Sequence, residues 1–238
     1  MKKLILVSGG EGRFARILKN KNKKLNLIFL NKTKLDILNI KKIENIIKKY
    51  KPKIILHCAG LSRPMSTHEK IIAKSIDLNI IGTANLVKSC SKHKIKLIYF
   101  STGYVYPGIK GNYAEEDGVK PFNNYGLSKL GGECSVLMYK NSLVLRITMT
   151  EKPFAYKKAY SNLKSNFMYH EDLVEILPKI LDERGILNVG GKKQSIYDFA
   201  KKTSQNIKKI KIKKNKKIPL NQTMNLKKLN SIIHNNKK

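Results

Sequence analysis

Tryptophan is absent from these 238 residues, and acidic side chains number 16 against 49 basic ones. Three cysteines, Cys58, Cys90 and Cys134, are too scattered and odd in number for a disulfide framework. Without a Cys-x-x-Cys pair they make no zinc site, so no metal is expected and a reducing, cytoplasmic setting is. No apolar run approaches the roughly 20 residues of a membrane span. The opening Met1-Lys2-Lys3 is basic, but the apolar run behind it ends at Ser8 and the glycines, too soon for a secretory leader. There is no internal repeat.

Arginine is also scarce. The net charge of +33 invites a nucleic-acid reading, but it comes from 44 Lys and five Arg. Ile and Asn are abundant too, a joint enrichment that follows from AT-rich codon usage. Surfaces that read bases lean on the bidentate guanidinium. Most of the charge is therefore assigned to solvated faces, and no specific nucleic-acid partner is expected.

What is present is an alternation of strand and helix signals. Strands are expected at Lys2–Val7, Leu25–Leu30, Lys53–Cys58, Ile95–Phe100 and Leu143–Ile147. Helices are expected from Gly12, over Ile40–Tyr50, through one long stretch at 67–92, and over Asn123–Tyr139. This pattern specifies a doubly wound α/β fold, a Rossmann-type parallel sheet covered on both faces. Residues 1–150 form that domain. Residues 151–238 form a small C-terminal lobe, with 167–190 packing back on the first domain. Residues 151–166 read as loop, followed by a helix at His170–Leu181, a strand at Ile186–Val189 and a helix at Ser195–Ile207. Residues 199–238 hold thirteen Lys and no acid. Ile210 and Ile212 alternate as on a strand, and Leu226, Leu229 and Ile232 share a helical face. Most of 208–232 is therefore expected to be ordered within the lobe.

Ligands of such a sheet bind beyond the carboxyl ends of the strands. After the first strand stands Ser8-Gly9-Gly10-Glu11-Gly12-Arg13-Phe14-Ala15. Gly9 allows the tight turn, Gly12 lets the backbone approach a pyrophosphate, and Ala15 permits close helix–strand packing. After the second strand, where a carboxylate would select NAD, stand Asn31 and Lys32. A basic residue there suits the 2′-phosphate, so NADP(H) is preferred and NAD(H) is the alternative. Arg63, after the third strand, suits a substrate diphosphate. Tyr125 and Lys129 share a helix face. An ammonium beside the phenol would lower its pKa toward neutrality for acid–base work.

In this order, SGGEGRFA, HCAG, NIIGTANLV, STGYVYPG and NNYGLSKLGGE resemble the extended short-chain dehydrogenase/reductases. The branch they resemble acts on nucleotide-sugars, around the dTDP-4-dehydrorhamnose reductases. The resemblance covers residues 1–150 well and continues more faintly through FMYHEDLV, GILNVGG and MNLKKL. It implies Thr102, Tyr125 and Lys129 as the catalytic set. Gly9, Gly12 and Arg13 would lie at the pyrophosphate, Asp36 and Ile37 near the adenine, and Ala59 and Gly60 near the nicotinamide ribose. Arg63 and Tyr104 are the substrate-side candidates. The implied activity is NADPH-dependent reduction of a keto group on a nucleotide-activated sugar. An epimerase or dehydratase with bound NAD and a non-catalytic dinucleotide-binding regulator are the alternatives. The expected partners are the nucleotide-sugar and, at most, a second copy of the chain in a homodimer. Three departures stand out. Gly103 replaces a carboxylate. Asn79-Ile80-Ile81-Gly82-Thr83 is closer to the epimerase and dehydratase relatives. The C-terminal lobe is short, which implies a reduced pocket.

Overall fold

The computed structural model describes residues 2–213 and 218–235, so part of the expected basic tail lies outside the described residues. Five strands run in chain order: β1 (Leu4–Ser8), β2 (Asn26–Leu30), β3 (Ile54–His57), β4 (Lys96–Phe100) and β5 (Ser142–Ile147). With Gly185–Val189 they form one parallel sheet in the order β2-β1-β3-β4-β5-Gly185–Val189. The order in which strands are added reverses at β1 and β3, which opens a crevice at their carboxyl ends.

Period-two alternation divides the apolar residues between two faces. Ile5, Val7, Ile54, Leu56, Ile98, Leu143 and Leu145 pack with Phe14 and Leu18 of α1 (Arg13–Lys21) and with Leu173 and Leu177 of the helix His170–Ile180. Leu6, Ile55, Leu97, Tyr99 and Val144 face the other way. They meet Ile43 and Ile47 of α2 (Ile40–Tyr50), Leu86 of Gly82–Lys92 and Val136 of Asn124–Leu137. Helix α2 begins where the Asn39 side chain accepts from the Lys42 N–H at 3.0 Å. It ends on Lys51 in the left-handed region, with Lys48 and Lys49 on the favourable end of its dipole.

The single helix expected over 67–92 is four pieces. Ser66–Lys70 and Ile72–Ser75 are separated by Ile71 at φ −131°, a π-helical segment covers Ile76–Ile81, and Gly82–Lys92 follows. Much of the apolar periodicity there does not mark a core face, since Ile71, Ile72, Ile76 and Ile81 are exposed. The helix expected at Ser195–Ile207 stops at Lys201, because Ile207 turns into the core of the lobe. That core gathers Phe154, Leu163, Tyr169, Ile196, Phe199 and Ile212. The stretch 151–166, expected as loop, carries the short strands Lys158–Tyr160 and Lys164–Ser165. Lys158–Tyr160 pairs in parallel with Lys208–Ile210.

The tail divides its loyalty. Its strand joins the lobe, but helix Lys227–Asn235 leaves it and packs on the Gly185–Val189 strand and the His170–Ile180 helix. Leu229, 1% exposed, enters the main core there, and Ile232 and Ile233 lie against it. Leu229→Ala should lower the unfolding free energy of the whole protein by about 2–5 kcal/mol, the range for an emptied leucine site. Urea denaturation checks this, and an unchanged midpoint would show that the helix contributes nothing to the sheet.

Candidate active site

The carboxyl ends of β1, β3, β4 and β5 open onto a cavity of about 1230 Å³. This exceeds the roughly 300–1,000 Å³ of ordinary small-molecule pockets. Phe154, Tyr156, Tyr160 and Leu163 of the short lobe supply one of its walls.

Gly9 turns the chain out of β1 with φ +66°, and the Gly12 N–H closes the turn on the Gly9 carbonyl at 2.8 Å. A Cβ on Gly9 would stand 2.7 Å from the Ala59 backbone, so the glycine turn and the loop after β3 touch directly. Gly12 caps α1 without a side chain, and no acid occupies its first turn. The free N–H groups and the positive dipole end are thus left for an anion.

Behind this turn runs a chain of hydrogen bonds. Thr83 donates to the Asn79 carbonyl at 2.8 Å, so its oxygen accepts from His57 Nε2 at 3.0 Å. That assignment leaves His57 Nδ1 to accept from Ser8 Oγ at 2.9 Å, and Ser8 accepts from the Ala59 N–H at 3.3 Å. Burial, with Lys129 nearby, lowers the His57 pKa to about 3. It is a neutral structural link.

Thr102 and Tyr125 meet from two elements. Thr102 follows β4, is buried, and accepts from the Tyr104 N–H at 3.2 Å. Tyr125 is the second residue of helix Asn124–Leu137, which starts where Asn123 Oδ1 accepts from the Gly126 N–H at 2.8 Å. Its ring lies edge-on to Tyr104 at 5.9 Å and 5.0 Å from the ring of His68. Burial raises the Tyr125 phenol pKa, while the Thr102 hydroxyl, Arg63 and Arg13 pull it down less strongly.

Lys129 does not act on the phenol as expected from the spacing. It is buried one turn further on, with Nζ 4.1 Å from the centre of the Tyr99 ring. Burial lowers its pKa to about 7, against smaller opposing effects of Cys58 and Glu133. The glycines of this helix serve close approach. A Cβ on Gly132 would run into the Asn79 carbonyl of the π-helical segment and stand 2.5 Å from the Tyr99 hydroxyl.

Gly12, Arg13, Ala59, Gly60, Arg63, Thr102, Tyr104, Tyr125 and Lys129 all line the cavity. Five other candidates lie beyond its lining, Gly9 in the turn just behind it and four more around the loop after β2. Asn31 donates to Glu11 at 2.9 Å, Lys32 is exposed, and Asp36 Oδ1 accepts from the Leu38 N–H at 3.0 Å. Ile37 is a core residue whose carbonyl accepts from Asn85 at 3.1 Å. A side chain at position 103 would press on its neighbours, since a Cβ there would stand 2.9 Å from Thr148 Oγ1 and 3.3 Å from Met224 Sδ, so both side chains would have to shift.

The family model described as the RmlD substrate binding domain matches residues 1–167. The chain belongs to this family. Methionine adenosyltransferase 2 subunit beta of Pongo abelii is 38% identical over 116 residues, 48% of this chain and 34% of that protein. A dTDP-4-dehydrorhamnose reductase of Aggregatibacter actinomycetemcomitans is 29% identical over 151 residues, 61% of this chain and 51% of that protein. The chain thus spans about a third to a half of the length of these curated relatives. Among solved structures, the dTDP-4-dehydrorhamnose reductase of Bacillus anthracis in complex with NADP superposes with a TM-score of 0.84 at 22% identity, over 97% of this chain and 92% of that one. The UDP-glucose 4-epimerase of Thermus thermophilus in complex with NAD superposes with a TM-score of 0.77 at 17% identity, over 98% and 93%. These structural likenesses establish the Rossmann-type fold.

Two polar residues of this family member escaped the sequence reading. Glu11, inside the glycine turn, sits against Asn31, and Glu151 pairs with both Arg13 and Arg63. Neither carries a local signal, because each meets its partner across the fold.

The lowered Lys129 pKa has a consequence for stability. Between about pH 7 and 10.5 the unfolded lysine binds a proton that the folded one does not, so this residue's contribution rises with pH across that window. Below pH 7 its burial cost is fully present. Lys129→Met should therefore stabilise the protein by a few kcal/mol at pH 6, an advantage that shrinks toward pH 10. Denaturant titrations at the two pH values check this, and a gain independent of pH would contradict it.

Proposed function

We propose that this chain is an NAD(P)-dependent oxidoreductase that reduces the keto group of a nucleotide-activated sugar. One observation carries the reading. Thr102, Tyr125 and Lys129 line the same cavity that receives the uncapped N-terminus of α1. The cradle suits a dinucleotide, because Gly9 cannot take a side chain and the helix end offers unsatisfied N–H groups. Gly9, Gly12 and Arg13 would hold the pyrophosphate, and Ala59, Gly60 and Lys129 the nicotinamide ribose. Asn31, Lys32, Asp36 and Ile37 would form the adenosine end. Arg63 and Tyr104 would face the substrate.

A bound nicotinamide supplies the hydride. Tyr125, protonated at neutral pH and with its phenol pKa raised further by burial, gives its proton to the carbonyl oxygen. Thr102 donates a hydrogen bond to the same oxygen and polarises the carbonyl. Lys129 would donate to the hydroxyls of the nicotinamide ribose. The dTDP-4-dehydrorhamnose reductases among the relatives and the NADP named with one of them support this chemistry.

NADP(H) is the preferred cofactor, on the exposed cation of Lys32 beside Asn31. The Glu11 carboxylate at Asn31 favours the second reading, NAD(H), since a carboxylate suits a free 2′-hydroxyl. Fluorescence titration with both reduced dinucleotides decides between them: tighter NADPH is expected, and a tenfold preference for NADH would reverse the assignment. A non-catalytic regulatory role is favoured by the likeness to the methionine adenosyltransferase β subunits, and an epimerase or dehydratase by the NAD-bound epimerase structure. The proposed partners are the nucleotide-sugar and a second copy of the chain. Ile72 and Leu127, 55% and 52% exposed, sit on contacting helices and would meet their counterparts in a homodimer, which sedimentation would show. Three free cysteines fit a cytoplasmic location, and no helix among the described residues is long and apolar enough to cross a membrane.

Tyr125→Phe should lower turnover by about 10²–10⁴ with dinucleotide affinity nearly unchanged. Undiminished turnover would remove Tyr125 from the chemistry, and no turnover by the wild-type protein on any keto-sugar nucleotide would favour the regulatory reading.

A further inference from the structure

Glu151 is the one carboxylate among the described residues that line the cavity, whose other charged groups are Arg13, Arg16, Arg63, Lys129, Lys157 and Lys158. It stands between the two arginines expected to take phosphates. Arg13 Nη1 lies 3.1 Å from Oε1, and Arg63 Nη1 lies 3.0 Å from Oε2 and 3.2 Å from Oε1. Thr150 adds a hydroxyl donor to Oε2 at 3.0 Å. Burial alone would raise this carboxyl. Its own backbone N–H, Arg63, the Thr150 hydroxyl and Arg13 outweigh that and hold it at about 2, so it is an anion throughout the working range.

A carboxylate and a phosphate ask for the same thing from a guanidinium, in-plane N–H groups aimed at oxygens. Those N–H groups are already in use. The remaining Nη2 groups are engaged as well, Arg13 with Ser62 at 2.9 Å and Arg63 with Thr150 at 3.4 Å. A diphosphate therefore cannot gain the full value of either arginine while Glu151 keeps its place. The three side chains are about a third exposed, so each ion pair is worth little and opens at low cost.

We propose that Glu151 is a built-in competitor, an internal carboxylate that occupies the anion positions of Arg13 and Arg63 and sets the affinity of this site for diphosphate ligands. It rests on the reading of the cavity as a site for a dinucleotide and a nucleotide-sugar. A single carboxylate on both arginines links the two ends of the cavity. An anion that takes Arg13 leaves Glu151 wholly to Arg63.

The test is Glu151→Gln, which keeps shape and removes charge. NADPH binding, followed by its fluorescence, should tighten by about three- to tenfold, the scale of two partly exposed ion pairs. Inorganic pyrophosphate should compete better by a similar factor. In an Arg13→Met background the gain should shrink. Damage to the fold weakens binding, so a gain separates competition from a structural role, and the melting temperature is recorded for both proteins. Equal or weaker dinucleotide binding by Glu151→Gln, at an unchanged melting temperature, overturns the competitor role and leaves the functional reading intact. Absence of dinucleotide binding by both proteins overturns the functional reading and the competitor role together.

Discussion

A buried ion pair between Glu133 and Arg146 ties the helix that carries Tyr125 and Lys129 to the ends of β4 and β5. Both side chains are almost fully enclosed, 1% and 4% exposed. Arg146, on β5, reaches Glu133 through Nη2 and, at 3.0 Å, through Nε. The other carboxylate oxygen accepts from Ser101 at 2.7 Å, next to Thr102. Glu133 lies one turn beyond Lys129 on the same helix. The pair thus fixes the depth of Tyr125 and Lys129 against the end of β4. Arg146 continues to the Tyr106 hydroxyl at 2.8 Å, and Tyr106 donates to Asn188, which ties in Asn225 of the tail at 3.3 Å. Removing one partner would strand a buried charge at about 3–5 kcal/mol, whereas an apolar pair of the same shape can be neutral. The pair therefore specifies a geometry more than it stabilises the fold.

With the helix held at that depth, the electrostatics follow. Tyr125 is enclosed enough that burial lifts its phenol pKa above the ordinary value. Lys129 is enclosed enough to lose much of its preference for the ammonium form and leans on the face of Tyr99. Close packing at Gly132 and the hydrogen-bond chain from Ala59 through His57 to Asn79 tie the helix, β1 and β3 to one π-helical segment. The polar groups at the floor of the cavity are therefore held in place by the fold itself, without a ligand.

The sheet was legible in the sequence because its strands are short apolar runs that alternate with helical patterns. The turn at Gly9 was legible for a local reason too, since a positive φ needs glycine. The Tyr125–Lys129 spacing was visible, but its electrostatic meaning was not, because burial and not the lysine dominates the phenol. Apolar periodicity hid the break at Ile71 and the π-helical segment, whose Asn79 bonds Leu61 and Ser128 across the fold. It also hid the destination of Leu229, because a helical face announces that a surface exists and not which one. Glu11 meets Asn31 across the fold, and Glu151 meets both arginines there, so no spacing could reveal these pairings. Of the loops that the likeness to known reductases pointed to, those after β3 and β4 line the cavity, while Asn31, Lys32, Asp36 and Ile37 after β2 lie beyond its lining.

The proposed chemistry makes one demand that binding data cannot imitate, namely net transfer of hydride to carbon. The protein is incubated with reduced dinucleotide deuterated at nicotinamide C4 and with a panel of keto-sugar nucleotides, and the products are read by mass spectrometry and NMR. Deuterium is expected on the new carbinol carbon in step with dinucleotide oxidation, and that transfer should vanish in Tyr125→Phe. Tight dinucleotide binding with no deuterium transferred and no dinucleotide oxidised would contradict a reductase and leave a binding protein on the same fold.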